Sequence, residues 1–302
     1  MYSVEHIKCR ICGSDKTKFL GTRGNMEHAG AYDPSNLNEH MVTNVVKCKK
    51  CSFIYTNPLI ISNTETYNDP SDYFSSSTVD PETLFKSTLA LIEKHARKGN
   101  ILDIGCGKGE FLNISKKRGW EAYGLEPSVN LAKFGLEKYS LNVVSTPLKD
   151  AGYPDRFFDV VVLNMVLEHV DDPKEFLSEI RRVLKKDGVL FIEVPNMDSL
   201  MLKMATIYFR LRGKEWSPLL SPLHHPFHCY GYNTSSLGYL LNSRGFDVRR
   251  KLVRDSGLRG FRHDSGGTGV EKFVRNALTR LAGLIGKGDV LMVLAKKKGG
   301  MN

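Results

Sequence analysis

From residue 81 onward, short apolar runs alternate with longer stretches whose apolar residues recur at helical spacing. The pattern predicts a helix over 81–98, opened by Pro81-Glu82-Thr83, then a strand over 100–104 that breaks into glycines. A helix over 109–118, a strand over 121–125, a helix over 129–138 and a strand over 141–145 follow. Phe158-Asp-Val-Val-Val-Leu163 is apolar almost throughout, as suits a strand buried on both faces. A helix over 173–184 ends at Lys185-Lys186-Asp187-Gly188, and a strand over 189–194 follows. Further on come a helix over 235–245, a strand over 246–253, an amphipathic helix reaching about Ile285 and a last strand over 290–295. Strand following helix in this order implies an α/β, doubly wound, Rossmann-like parallel sheet with helices on both faces.

Residues 1–60 have a different texture, with few long apolar runs and two Cys-x-x-Cys pairs. Residues 61–80 are polar and read as a linker, punctuated by Tyr67, Tyr73 and Phe74. The expected organisation is a small module over 1–60, that linker, and a main domain over 81–302 with an insertion at about 197–233. The insertion carries Leu200, Met201, Met204, Ile207, Tyr208 and Leu211 at helical spacing, followed by Trp216, which fits either a lid or ordinary core packing.

The stretch Ile101-Leu-Asp-Ile-Gly-Cys-Gly-Lys-Gly109 ends a strand on an acidic residue and opens a helix through alternate glycines. Such glycines let backbone approach a ligand closely, and a helix start offers unpaired N–H groups. A P-loop would need Ser or Thr after Lys108, where Gly109 stands, and the dinucleotide fingerprint would need glycine where Glu110 stands. One strand–helix–strand unit later, Leu125-Glu126-Pro127 places a carboxylate where it can accept from both hydroxyls of a ribose.

The D-x-G-x-G-x-G turn resembles motif I of class I S-adenosylmethionine-dependent methyltransferases. Further segments are similar to that family: the run from Phe158 to Pro173, Leu184-Lys-Lys-Asp-Gly-Val-Leu190, Val194-Pro-Asn196, and His228-Cys-Tyr-Gly-Tyr-Asn-Thr-Ser-Ser-Leu237 before Gly245-Phe246. The resemblance covers roughly residues 81–295. It implies S-adenosyl-L-methionine as cofactor, with Asp103, Gly105, Cys106 and Gly107 at its methionine end, Glu126 on the ribose, Pro127 beside the adenine and Asn164 near the sulfonium. Many relatives carry an acidic residue after the third strand. Ser145-Thr-Pro-Leu-Lys149 has none, which leaves the adenine contact to backbone around Leu148.

Cys9-Arg-Ile-Cys12 and Cys48-Lys-Lys-Cys51 are two knuckles that together complete a tetrahedral thiolate site, a structural Zn2+ with no position open for catalysis. Redox-active dithiols are the rival reading. The two motifs followed by Tyr55-Thr-Asn-Pro58 resemble the zinc-binding module fused to many bacterial methyltransferases of deoxysugar, surface-polysaccharide and natural-product pathways. Some rRNA methyltransferases carry N-terminal zinc modules as well.

Methyl transfer to a hydroxyl, ammonium or carbon acid requires proton removal. His169, just after the fourth strand, is the first candidate base and His228 the second; each is open to a purely structural reading. Glu168 orients the loop or pairs with substrate, and His224 and His225 are left open. Net charge is +10 from 43 basic and 33 acidic residues. Arg249, Arg250, Lys251, Arg254, Arg259 and Arg262 cluster, as a phosphate, nucleotide, nucleic-acid or acidic-membrane contact or as a solvated loop. The start lacks an apolar stretch of signal-peptide type and no run approaches a membrane span, so the expected location is cytoplasmic. The expected acceptor is a small molecule, a sugar, nucleotide-sugar or related metabolite, phosphorylated or nucleotide-linked. RNA is the enzymatic alternative, although no N/D-P-P-Y/F motif or aromatic–basic interleaving supports it. A non-catalytic scaffold is the other. Oligomeric state is open.

Overall fold

A computed structural model describes residues 3–24, 42–61, 81–221, 228–254, 281–283 and 285–299. The expected linker over 61–80, apart from Ile61, lies outside the described residues, as do Arg259, Arg262, His224, His225 and most of the helix ending near Ile285. The chain divides into two compact units. One comprises Met1–Asn63, Pro195–Tyr239 and Leu252–Leu291, the other Thr64–Val194, Leu240–Lys251 and Met292–Asn302.

In the first unit, β1 (Ser3–Glu5), β2 (Thr17–Gly24), β3 (Val42–Cys48), β4 (Ile54–Asn57) and β5 (Leu59–Ile61) follow one another. β1 pairs antiparallel with β5, and β2, β3 and β4 form an antiparallel meander. Val45, Ile54, Met197 and Leu220 make a buried cluster there, while Phe53, fully buried, stacks on Tyr55 and Tyr230 at 5.8 and 5.6 Å.

The second unit opens with α1 (Pro81–Glu93), β6 (Asn100–Ile104), α2 (Glu110–Lys117), β7 (Glu121–Leu125) and α3 (Val129–Tyr139). β8 (Asn142–Val144), β9 (Phe158–Asn164), α4 (Pro173–Val183) and β10 (Leu184–Pro195) continue it. Local chemistry sets several of these boundaries. Ser128 Oγ accepts from Leu131 N at 3.4 Å to start α3, and Asp172 Oδ1 accepts from Lys174 N and Glu175 N ahead of Pro173 to start α4. α1 stops at Glu93, short of the expected 98. His95 N and Ala96 N both turn back onto Ile92 O, and beyond Glu93 only polar residues and Ala96 remain before Gly99.

The expected turn over 185–188 is instead part of β10. Leu184, fully buried, already pairs with Phe158, and a register shift between Leu184 and Val189 absorbs the polar residues as a bulge. Lys185 Nζ then reaches Asp159 Oδ2 at 2.7 Å.

The chain continues through α5 (Leu200–Leu211) and β11 (Tyr230–Gly231), which pairs antiparallel with β4 as a fourth strand of the first unit's sheet. It ends with α6 (Thr234–Ser243), β12 (Phe246–Arg254) and β13 (Val290–Lys297). The large sheet has seven strands in the order β12-β13-β10-β9-β6-β7-β8. Its arrangement is doubly wound around parallel β6, β7, β8, β9 and β10. It is mixed rather than wholly parallel, with β13, last in the chain, inserted between β10 and β12.

Candidate functional site

β6 lies inside the sheet between β9 and β7, with Ile101 and Leu102 fully buried. Asp103 on it pairs in register with Gly124 on one side and Val162 on the other. Its side chain is therefore held inside the protein, 3% exposed, and Oδ1 has no hydrogen-bond partner among the described residues. Burial, and then the charge of Glu126, push this carboxyl well above the usual carboxylate range. A buried acceptor of this kind is costly unless a donor reaches it.

The backbone turns sharply after Ile104. Gly105 N and Cys106 N both donate to Leu125 O, at 2.7 and 3.1 Å, and Gly105, Gly107 and Gly109 have φ of 70°, 54° and 77°. A side chain at 105 would be strained and would also strike Val166 Cγ2 at 2.6 Å. Glu126 joins this turn to the end of β7. Its Oε2 accepts from Gly107 N at 2.8 Å and its Oε1 from Ser128 N at 2.9 Å. Burial pushes the Glu126 carboxyl up, and those two backbone bonds pull against it.

The remaining expected cofactor residues sit as follows. Cys106 is buried, its side chain packed with Leu112 and Leu141, so only its backbone is left to face a ligand. Pro127 is exposed at the tip of the turn, and Asn164 is half-buried at the end of β9. Leu148 is buried at the start of a single 3-10 turn, Leu148–Asp150. Asp103, Gly105, Gly107 and Glu126 thus converge on one turn.

Of the candidate bases, His169 closes a 3-10 turn, Leu167–His169, held by His169 N donating to Val166 O at 2.9 Å. His169 is not buried, whereas Glu168 beside it is 1% exposed. Burial pushes the Glu168 carboxyl up to about 8, and the charge of Glu193 adds to that. The sequence gives no signal for this burial, because a Glu in a polar loop reads as solvent-facing. His228 belongs to the other unit, where its carbonyl accepts from Ser221 N at 3.1 Å.

The four N-terminal cysteines form a second cluster. Their sulfurs all lie within 4.8 Å of one another, with Cys9 to Cys51 and Cys12 to Cys48 both at 3.5 Å and no disulfide. Zinc–sulfur bonds of about 2.3 Å in a tetrahedron require sulfur–sulfur separations of about 3.8 Å, so the donor set fits. Each knuckle closes in the same way. Gly13 N returns to Cys9 O at 2.8 Å with φ 71°, and Ser52 N to Cys48 O at 3.0 Å with φ 65°. Lys49 N donating to Lys16 O ties one knuckle to the other. The hydrogen bond with Cys51 lowers the Cys9 thiol below the ordinary thiol value.

A profile for a methyltransferase domain matches residues 78–251, and the chain belongs to that family. An uncharacterized protein of Methanocaldococcus jannaschii is 32% identical over 123 residues, covering 41% of this chain and 58% of that protein. A probable S-adenosylmethionine-dependent methyltransferase of Mycolicibacterium smegmatis is 27% identical over 182 residues, covering 59% and 65%. The match thus spans less than two thirds of either relative. Among solved structures, a SAM-dependent methyltransferase from Archaeoglobus fulgidus superposes with TM-score 0.52 at 23% identity, over 78% of this chain and all of that one. That likeness fixes the fold.

Proposed function

We propose that the chain transfers a methyl group from S-adenosylmethionine to a small-molecule acceptor, a sugar, nucleotide-sugar or related metabolite. The observation that carries the reading is the turn in which Glu126 accepts from Gly107 N while the buried Asp103 Oδ1 has no partner among the described residues. When bound, the cofactor supplies a methyl group already activated by a positively charged sulfur. The protein's tasks are then to align the reactants and to take the acceptor's proton.

Asp103 Oδ1 is suited to accept from the amino group at the methionine end, and the cation's arrival favours ionisation of this carboxyl. Gly105 and Gly107 offer bare backbone to the same end. Each Glu126 oxygen uses one of its lone pairs on a backbone amide and keeps another for a ribose hydroxyl. Pro127, Leu148 and Asn164 line the remainder of the cofactor site. His169, in the loop after β9, lies where the carboxyl ends of the strands open onto a ligand crevice, and its imidazole takes the acceptor proton. The Cys9, Cys12, Cys48 and Cys51 cluster holds a structural zinc whose four thiolates leave no position for substrate. The test is binding of S-adenosylhomocysteine by calorimetry, followed by transfer of labelled methyl to nucleotide-sugars and to RNA. Failure to bind sinks the cofactor assignment, and labelling of RNA alone sinks the acceptor class.

A further inference from the structure

None of the residues of α5 is buried. Its sequence, Leu-Met-Leu-Lys-Met-Ala-Thr-Ile-Tyr-Phe-Arg-Leu, has one side turned to its own unit, where Leu202 packs on the cluster of Val45, Ile54, Met197 and Leu220. Met204, Ile207, Tyr208 and Leu211 follow the i, i+3, i+4, i+7 spacing of a single stripe. At 100° per residue that stripe points away from Leu202. The exposures agree: 43% for Met204, 49% for Ile207, 50% for Tyr208 and 83% for Leu211. Four large apolar side chains thus stand in a row about 10 Å long on the outer side of one helix.

The charges carried by α5 itself are of one sign. α5 contains no acidic residue; Lys203 and Arg210, both exposed, run along one flank. Arg212 lies just past the other end, its guanidinium over the Tyr208 ring at 5.0 Å. The nearest acidic residues in sequence are Asp198, whose carboxylate stands 3.8 Å from Lys203 Nζ, and Glu215. The helix is fixed in place at both ends. Ser199 Oγ caps its start, accepting from Leu202 N at 3.3 Å. At its end Gly213, with φ 69°, reverses the chain so that Lys214 N returns to Phe209 O at 3.0 Å.

We infer that α5 docks this protein onto an anionic lipid bilayer surface. A convex apolar row flanked by cations, with an aromatic ring at its side, is the form that lies in the headgroup region with its apolar side chains immersed. Basic side chains beside it reach lipid phosphates while their stems cover apolar surface. A protein partner would instead be expected to present pockets for anchors and carboxylates for the cations. The inference does not depend on the methyl-transfer reading.

The full-length chain is sedimented with vesicles of phosphatidylcholine alone or containing roughly one third phosphatidylglycerol. Binding to the acidic vesicles at least about tenfold stronger than to the neutral ones, and weakened by salt, is expected. The Ile207→Glu/Leu211→Glu and Lys203→Glu/Arg210→Glu variants should each lose about tenfold or more of that binding while keeping the wild-type melting temperature. Leu211→Ser, altering the most exposed position, gives a milder check should the double variants fold poorly. A wild type that ignores acidic vesicles overturns the inference, as does a stripe variant that binds them unimpaired. Self-association abolished by the stripe variant, without vesicle binding, would assign the stripe to a second copy of the chain and overturn it equally.

Discussion

Replacing Glu126 with alanine tests the proposed cofactor site at its most connected residue. The carboxylate accepts from Gly107 N at 2.8 Å and Ser128 N at 2.9 Å, so the substitution strips two backbone amides of their acceptor at once. Hydrogen bonds to a charged group contribute about 1.5–3 kcal/mol each. Against that sum stands the desolvation that holds the Glu126 carboxyl above its ordinary value and is relieved when the carboxyl goes. Water can also replace part of the loss at a residue 8% exposed. The net cost to folding should therefore fall near the size of one such bond, about 1–3 kcal/mol. Affinity for S-adenosylhomocysteine should fall by a similar about 1–3 kcal/mol, a Kd roughly 5- to 150-fold weaker, because the ribose hydroxyls lose their charged acceptor. Calorimetry gives the second figure and chemical denaturation the first. Glu126→Gln, which keeps one acceptor oxygen and loses the charge, should fall between wild type and alanine in both. A folded alanine variant that binds with undiminished affinity would refute the ribose assignment and the reasoning from the turn.

Three further outcomes are expected. Protein purified without added metal should carry about one zinc per chain, lost in Cys9→Ser together with the fold of the N-terminal module; a folded, metal-free wild type refutes the ribbon. His169→Ala and His169→Gln should keep S-adenosylhomocysteine affinity and lose roughly 100- to 10,000-fold in turnover. Near wild-type turnover in both removes His169 as the base. Glu168, pushed up from 4.5 to about 8 in the fold, binds a proton that the unfolded chain releases. Its contribution is present at low pH and is lost as pH rises from near 4.5 through 8, so stability should fall over that window, and Glu168→Gln should flatten the slope. Denaturation curves at several pH values with the same slope in both proteins would show that the buried carboxyl is not its source.

The sheet was readable because its strands obey a simple physical pattern. A strand covered on both faces must be apolar nearly throughout, and Val160, Val161, Val162 and Leu163 are all fully buried. Short helix starts were readable where a side chain caps them, as Ser128 and Asp172 do. What could not be read was strand pairing that depends on distant segments. The placement of β13 between β10 and β12 leaves no mark on either strand's composition. Tyr230 and Gly231 are too few to show a period, yet they complete the sheet with β4. The stretch 185–188 looked like a helix stop because its residues are polar, and a bulge uses such residues as readily as a turn does.

The same distinction separates the two halves of the candidate site. The proposed cofactor half is written in backbone constraints: glycines at positive φ, an acid near the end of an interior strand, and an acid one strand later that meets the first turn. Each constraint restricts residue identity at a fixed spacing, so the sequence displays it directly. The acceptor half depends on burial and on which loops approach which, and spacing carries neither. Glu168 and His169 are adjacent, yet one is enclosed and the other is not. A loop residue's identity is compatible with either state, and the neighbours that decide between them come from other elements; the charge of Glu193 on β10 acts on Glu168 from 25 positions along the chain (168 to 193). In the proposed reading, the reaction class therefore rests on residues whose positions local geometry enforces. Acceptor identity is carried by residues whose roles are set by packing, and it is there that the labelled-methyl assay and the His169 variants carry the decision.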